Sequence, residues 1–390
     1  MRTPQLTRAL VPAVLAVLIA SRARAEPYLM VRAGAKCSAC HTNQTGGGKR
    51  TPFAHIHAHD IEHDLDLLPI PPGVKPFNGE LNSYVSFGGD LRVRNTTVFQ
   101  DRPNAQGRVP ENNAFRRRVE SNRSSVNEFL LYGQVDLWPD LVTVYADEDF
   151  TSGANNREVF GLIRGFLPWD TYVKAGRLFP AFGLRVQDDQ AFIRTRSGFT
   201  FQNPDEGGEV GIAPGPFFLA SSVTNGRNSV AGPKDVQATV NGYGVFEDVP
   251  VVRNVVAGAS FARQSNKRNV SAFYGGSNLW RLTYLGELDI IDDRTLATRD
   301  KRDRFAAYGE ADLLLLDWLN LRGTFEFVKV SRDRDQTRYG IGAEPFINRV
   351  IQPRIVYRIN NGPNIKGAGG VPLGPSLNTD ELWIELHLFL

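Results

Sequence analysis

Cys37, Cys40 and His41 form a Cys-x-x-Cys-His motif, the attachment signature of a c-type haem. Two thiols add across the two vinyl groups of one porphyrin, so they must lie one short turn apart. The adjacent imidazole is then held under the iron as its proximal axial ligand. A redox-active cysteine pair is expected inside a βαβ unit, and half of a zinc site needs a second pair of ligands in register. The chain has only two cysteines and neither context, so the motif predicts one covalently bound haem c.

The residues that follow the motif have types that suit contact with a haem. Gly46 and Gly47 allow sharp bends and a close approach of the backbone to a ring, although a plain flexible connector has the same composition. Arg50 can pair with a haem propionate or face water. We therefore take Gly46, Gly47 and Arg50 as candidates for haem packing.

The sixth ligand of the haem iron has several candidates. Four of the six histidines lie within residues 53–63, where a helix or an extended strand would each bring three of them to one face. The same run also suits a small metal-binding patch or a solvated polar surface. A methionine near the motif would raise the redox potential relative to a second histidine. In order of preference, the candidates are the histidine run, the methionine and a C-terminal histidine: His55, His57, His59, His63, Met30 and His387.

The first 25 residues have the pattern of a secretory signal. A basic start precedes an apolar run from Ala9 to Ala20, which is too short for a membrane helix, and Ala23-Arg24-Ala25 is a cleavage site. The net charge of +3 and the 22% of charged residues argue against a nucleic acid partner. The predicted organisation is a signal peptide over 1–25, a haem segment with a proline-rich linker over 26–76, and a final domain over 77–390.

The final domain has the sequence pattern of an all-β, outer-membrane antiparallel barrel. Apolar and polar residues alternate with period two, as in residues 280–290 and 319–328. A soluble sandwich also alternates, but connections that are alternately short and long favour a barrel. Apart from the loop before Ser125, the longest connection is Pro180 to Glu206, which is predicted as an outer loop, and Thr151 to Arg157 is another long connection. Trp138, Trp169 and Trp318 occur at short turns, where an aromatic girdle belongs.

The spacing of these segments predicts about sixteen strands, with both termini in the periplasm. At this size a barrel encloses a lumen, which mixed charges would make polar. The predicted strands begin near the following residues: Leu81, Ser125, Leu141, Glu158, Thr171, Gly207, Phe217, Asp235, Val251, Arg268, Asn278, Asp303, Leu319, Gln336, Ile347 and Thr379.

Four carboxylates of the connection from Pro180 to Glu206, namely Asp188, Asp189, Asp205 and Glu206, are hard oxygen ligands of the kind that suits ferrous iron. Loops commonly carry solvated carboxylates that bind nothing, and this second interpretation is preferred.

The order of signal, haem motif and barrel resembles the outer-membrane cytochrome–porin fusions of iron-oxidising bacteria. Pro27-Tyr28-Leu29, Lys36 to His41, Asn43, Thr45 to Gly48 and Arg50 are similar to the start of that family. In addition, Lys174 to Arg185 resembles the strand-to-loop segment of bacterial electron-conduit barrels. The histidine run is not part of the family pattern.

The resemblance implies an outer-membrane electron conduit with its haem in the pore or at the periplasmic mouth. Its expected donor is extracellular Fe(II) or another one-electron donor, and its expected acceptor is a periplasmic c-type cytochrome or a similar protein. The activity that the resemblance implies is the oxidation of Fe(II). Two alternatives stay open: a diffusion porin whose haem segment is a regulatory plug, and a conduit that reduces extracellular acceptors.

Overall fold

The computed structural model describes residues 27–57, 79–100, 118–226, 236–265, 267–294, 304–329, 335–348, 351–361 and 379–389. The predicted signal peptide and the proline-rich linker lie outside these residues. Sixteen strands form one closed antiparallel barrel, as predicted from the sequence. The strands are β1 Val85–Gln100, β2 Arg118–Trp138, β3 Val142–Asp149, β4 Asn155–Arg164, β5 Tyr172–Leu178, β6 Asp205–Ile212, β7 Phe217–Thr224, β8 Gln237–Glu247, β9 Asn254–Gln264, β10 Arg268–Leu279, β11 Leu282–Asp293, β12 Arg304–Leu316, β13 Leu319–Lys329, β14 Asp335–Pro345, β15 Ile351–Asn361 and β16 Thr379–Phe389.

The barrel closes between its first and last strands. The pairing of β1 with β16 runs from Asp90 opposite Phe389 to Gln100 opposite Thr379, and every other strand pairs with its neighbours in sequence. Closure pairs both edges of the sheet, which would otherwise expose unpaired backbone groups. The predicted strand starts lie within four residues of the observed ones, except that β2 begins at Arg118, well before Ser125. Because β4 already begins at Asn155, the predicted long connection from Thr151 to Arg157 is wrong, and the turn is short.

The two faces of the barrel wall have opposite character. Outward-facing residues such as Val210, Phe273 and Ile341 are exposed apolar side chains, whereas the buried inward face is rich in charged and polar groups. Trp138 and Trp169 are each 65% exposed at short turns at one end of the barrel. An apolar exterior around a polar interior is the pattern of a barrel that crosses a membrane.

The N-terminal segment occupies part of the lumen. Its three short helices are α1 Pro27–Ala33, α2 Cys37–Cys40 and α3 Pro52–His57. The side chains of Tyr28, Leu29 and Val31 in α1 are buried in the main apolar cluster of the interior. A Cβ atom at Gly276 of β10 would lie 2.9 Å from Val31 Cγ2, so the missing side chain lets α1 approach the wall. Among the described residues, none of the helices is long and apolar enough to cross a membrane.

Residues 179–204, which we call the inner loop, fold into the lumen. This loop carries helix α4, Phe192–Ser197. Carboxylates of the wall hold its backbone, because Leu184 N donates to Glu287 and Phe192 N donates to Glu326 at 2.7 Å. The predicted long connection between β5 and β6 is confirmed, but its course differs from the predicted outer loop, because acceptors on β11 and β13 hold the segment inside the lumen.

Candidate functional site

The haem motif lies on one helical turn that is fastened to the barrel wall. Lys36, just before α2, donates from Nζ to the carbonyls of Ala213 (3.0 Å) and Gly215 (2.6 Å) at a short turn. The backbone N–H of Cys37 donates to Tyr243 Oη at 3.3 Å. These contacts tie the motif to the end of the barrel that carries the short turns.

Residues 41–50, which we call the haem loop, fold back on themselves after α2. His41 and Arg50 form an antiparallel bridge, and Thr42 N donates to Lys49 O at 3.1 Å. Gly46 has φ of +89°, and a Cβ atom there would come within 3.3 Å of Cys37 Cβ. Glycine at this position therefore lets the loop lie directly against the first cysteine of the motif.

A cavity in the lumen, the haem cavity, adjoins the motif. Its volume is about 1180 Å³, counted with the part that is open to solvent, and Cys37, His41 and Arg50 line it. Gly46 and Gly47 also line it, so the structure brings together all three candidates for haem packing.

The two cysteines have different surroundings. Cys37 lines the haem cavity, and its Sγ lies 3.7 Å from Met30 Sδ. Cys40 is fully buried and packs against Ala35 and Ala54. Burial raises the pKa of the Cys37 thiol, although the hydrogen bond with Tyr243 opposes this effect.

The charges around the haem cavity are unbalanced. Four arginines but only two carboxylates line it, which is a formal excess of two positive charges. Arg92 pairs with both carboxylates, Asp90 and Glu128, at 3.0 Å each. The guanidinium of Arg50 lies 4.0 Å from the ring centre of Phe389, which fixes it on the last strand. A haem carries two propionates, so the motif and the charge of this cavity fit a c-type haem.

Two of the candidates for the sixth iron ligand line the haem cavity, namely Met30 and His387. The ring of His387 is held by Asp90 Oδ2, 3.0 Å from Nε2, and faces Gln352 Oε1, 3.4 Å from Nδ1. In the histidine run, His55 and His57 belong to α3. Their side chains, like the whole of His59 and His63, lie outside the described residues.

No family model matches this chain, and no curated protein sequence matches it. Solved structures do match this chain. The anion-selective porin of Comamonas acidovorans superimposes with a TM-score of 0.54 at 12% identity, over 78% of this chain and 99% of that one. OmpT of Vibrio cholerae gives 0.51 at 10% identity, over 80% and 99%. OprB of Pseudomonas putida gives 0.52 at 8% identity, over 79% and 93%.

The chain has the fold of an outer-membrane porin. Within this porin fold, one buried polar network holds the haem loop against the wall. Asn43 Nδ2 donates to both carboxylate oxygens of Glu158, at 3.0 and 2.9 Å, and Asn43 Oδ1 accepts from Lys174 Nζ at 3.0 Å. Lys174 also pairs with Glu209 at 2.9 Å. Asn43, Glu158 and Lys174 are each 0% exposed, so this network is sealed from water.

The sequence analysis did not recognise this network. Asn43 and Lys174 do occur in the two stretches that resemble known families, which was the only signal for them. Further contacts hold the same loop: Thr42 Oγ1 donates to Gln134 at 2.7 Å, and Lys49 N donates to Tyr145 Oη at 3.0 Å. Burial lowers the pKa of Lys49 to about 8, and the nearby Asp136 partly opposes this. The wall of the porin barrel is therefore built to receive this loop.

The four carboxylates considered as iron ligands do not converge on one site. Asp188 pairs with Arg338 and Arg358, and Asp189 accepts from the backbone N–H of Phe201 at 2.7 Å. Within the described ranges, no group of three or more histidine, cysteine, aspartate or glutamate side chains is placed to hold a metal ion. The preferred alternative of solvated loop carboxylates is also wrong in part, because Asp205 is buried and accepts from Thr224 Oγ1 at 2.6 Å.

Proposed function

We propose that this chain is an outer-membrane electron conduit. A c-type haem bound through Cys37, Cys40 and His41 would supply one-electron chemistry in the lumen, between an extracellular donor such as Fe(II) and a periplasmic acceptor. The observation that carries the proposal is the haem cavity itself, which lies inside the barrel and is lined by Cys37 and His41.

The chain's own residues contribute position and charge. The network of Asn43, Glu158 and Lys174 fixes the haem loop on β4 and β5, so the motif is held in the lumen rather than on a free tether. Arg185 Nη1 donates to Gly46 O at 2.6 Å, which joins the inner loop to the haem loop. A rigid position matters because electron transfer requires fixed distances between partners, and linkage in one chain replaces a bimolecular encounter.

A passive diffusion porin is the second candidate, and the fold is the observation that favours it. Within the described part of the chain, however, residues 27–57 and the inner loop both occupy the lumen, which narrows any open path. A simple pore would not need residues 27–57. The haem motif would also have no role in such a protein.

Proteoliposomes test the conduit directly. An electron acceptor is sealed on the side that the short turns face, and Fe(II) is added to the opposite side. We expect the wild-type protein to reduce the trapped acceptor. The protein with Cys37→Ala and Cys40→Ala should not. Equal reduction by both proteins would show that iron diffuses through the barrel. A sealed donor with an outside acceptor tests the outward direction.

We further propose that His387 provides the sixth iron ligand. His387 lines the haem cavity, Asp90 Oδ2 lies 3.0 Å from its Nε2, and a carboxylate behind a ligating histidine is a common arrangement. We expect His387→Gln to convert a low-spin haem spectrum to a high-spin one, whereas Met30→Leu keeps it low-spin. A methionine–iron charge-transfer band in the wild type that Met30→Leu removes would assign the ligand to Met30 instead.

A further inference from the structure

The regular alternation of β4 is interrupted beside the haem loop. Asp147 of β3 pairs with Glu158, but the next residue of β3 pairs with Asn156. Arg157 is therefore the extra residue of a β-bulge. Both Arg157 and Glu158 are buried, whereas regular alternation would turn one of them outward. Bulges often occur next to functional sites, where they redirect a side chain. This bulge turns two consecutive side chains into the lumen.

The two side chains have different partners. Glu158 holds the haem loop through Asn43, whereas Arg157 lines the haem cavity. Two rings of the inner loop pack on the guanidinium of Arg157, whose central carbon lies 5.1 Å from the ring centre of Phe201 and 5.5 Å from that of Phe179. The two rings contact each other edge to face, with their centres 5.6 Å apart. Packing therefore fixes the guanidinium in the wall of the haem cavity.

The hydrogen-bonding capacity of Arg157 is unused. Its Nε lies 3.8 Å from Asp147 Oδ2, which is beyond hydrogen-bond distance. Of its guanidinium nitrogens only Nε is sealed, so Nη1 and Nη2 keep accessible surface. Arg92 pairs with two carboxylates, and Arg185 donates to two backbone carbonyls. Among the described residues, Arg50 and Arg157 are thus the two arginines of the haem cavity whose guanidinium groups donate no hydrogen bond.

We propose that Arg157 binds a haem propionate through Nη1 and Nη2, an inference that rests on the proposed function. A guanidinium presents its donors in a planar fork that matches a carboxylate. In a haem, the propionates leave the edge of the porphyrin opposite to the vinyl groups that take the thiols, so their partners must lie away from Cys37. Arg157 lies seven residues before Arg164, where β4 ends at a short turn. Tyr243, which contacts Cys37, lies only four residues before the corresponding end of β8 at Glu247.

The redox potential of the full-length, haem-loaded protein tests this assignment. A fixed cation beside the porphyrin favours the reduced iron, because the oxidised iron carries one more positive charge. Arg157→Gln should therefore lower the equilibrium constant for reduction about tenfold, which is 59 mV for a one-electron couple. The propionate bending modes in the resonance Raman spectrum should also shift. Arg177→Gln is the matched control, because Arg177 pairs with a partly exposed Glu206 and does not line the haem cavity. It should change neither the potential nor the modes.

A second variant separates propionate binding from simple neutralisation of Asp147. Arg157→Gln combined with Asp147→Asn removes both charges of the pair. If Arg157 binds a propionate, the Raman modes stay shifted in this double variant. If Arg157 only neutralises Asp147, the modes and the potential both return to the wild-type values, and the proposal is overturned.

Arg157→Lys serves if the glutamine variants fail to fold, because it keeps the charge and loses the fork. It should still shift the propionate modes, and unchanged modes in this variant would also overturn the proposal. The same holds for an Arg157→Gln protein with the wild-type potential and modes. A haem-loaded variant with unchanged modes refutes this assignment alone. A wild type without covalent haem refutes the conduit as well, so the two failures are distinguishable.

Discussion

A protein with both Cys37→Ala and Cys40→Ala is expected to fold as the same barrel and to carry no covalent haem. The thiols lie on α2 and not in the sheet, so the sixteen-strand ladder does not depend on them. Removing the buried Cys40 sulfur should cost only about 1 kcal/mol of folding free energy, the usual size for a point change. Haem attachment should fall from one per chain to none, measured as the loss of the mass increment and of the peroxidase-active band.

The matched control is Ser38→Ala, which changes a residue between the two cysteines and leaves both thiols and His41 in place. It should retain full haem attachment. His41→Ala should bind haem abnormally, because the proximal ligand is missing while the thiols remain. A double-cysteine variant that keeps the full mass increment would contradict the haem assignment and the conduit together.

Asn43→Ala is expected to release the haem loop from the wall. The change removes hydrogen bonds to Glu158 and Lys174 and leaves both charged groups buried. Hydrogen bonds to charged groups contribute about 1.5–3 kcal/mol each, so losing the three that Asn43 makes should raise the undocked population of the loop at least ~1000-fold. Limited proteolysis within residues 41–50 should accelerate accordingly, and the ionic conductance of the barrel in planar bilayers should increase.

Gln44→Ala provides the control for this experiment. Gln44 is the next residue of the same loop, and its amide donates within the loop to Thr42 O at 3.5 Å. The Gln44→Ala protein should therefore be cleaved at nearly the wild-type rate and should conduct ions like the wild type. If Asn43→Ala and Gln44→Ala behave alike, the buried network does not hold the loop.

Local sequence patterns were sufficient to predict the architecture of the barrel. Period-two alternation over residues 280–290 and 319–328 marks strands because successive side chains point to opposite faces, which is a property of neighbouring residues alone. Turn residues are also a local signal, so the number of strands, sixteen, could be predicted from the sequence. The motif Cys37 to His41 is equally local, since its chemistry depends on spacing within five residues. What remained open was anything set by contacts between distant parts of the chain.

Only the tertiary structure showed what fills the lumen. The inward course of residues 179–204 depends on acceptors such as Glu326, more than a hundred residues away in sequence. The role of Asn43 likewise requires Glu158 and Lys174 on two later strands. No periodic pattern in the sequence marks a single asparagine after a haem motif. The haem cavity contains His387 because barrel closure brings β16 beside β1, so the last strand returns to the segment that begins the chain. Closure is a property of the whole sheet, and no local pattern encodes which side chains then face one another across the lumen.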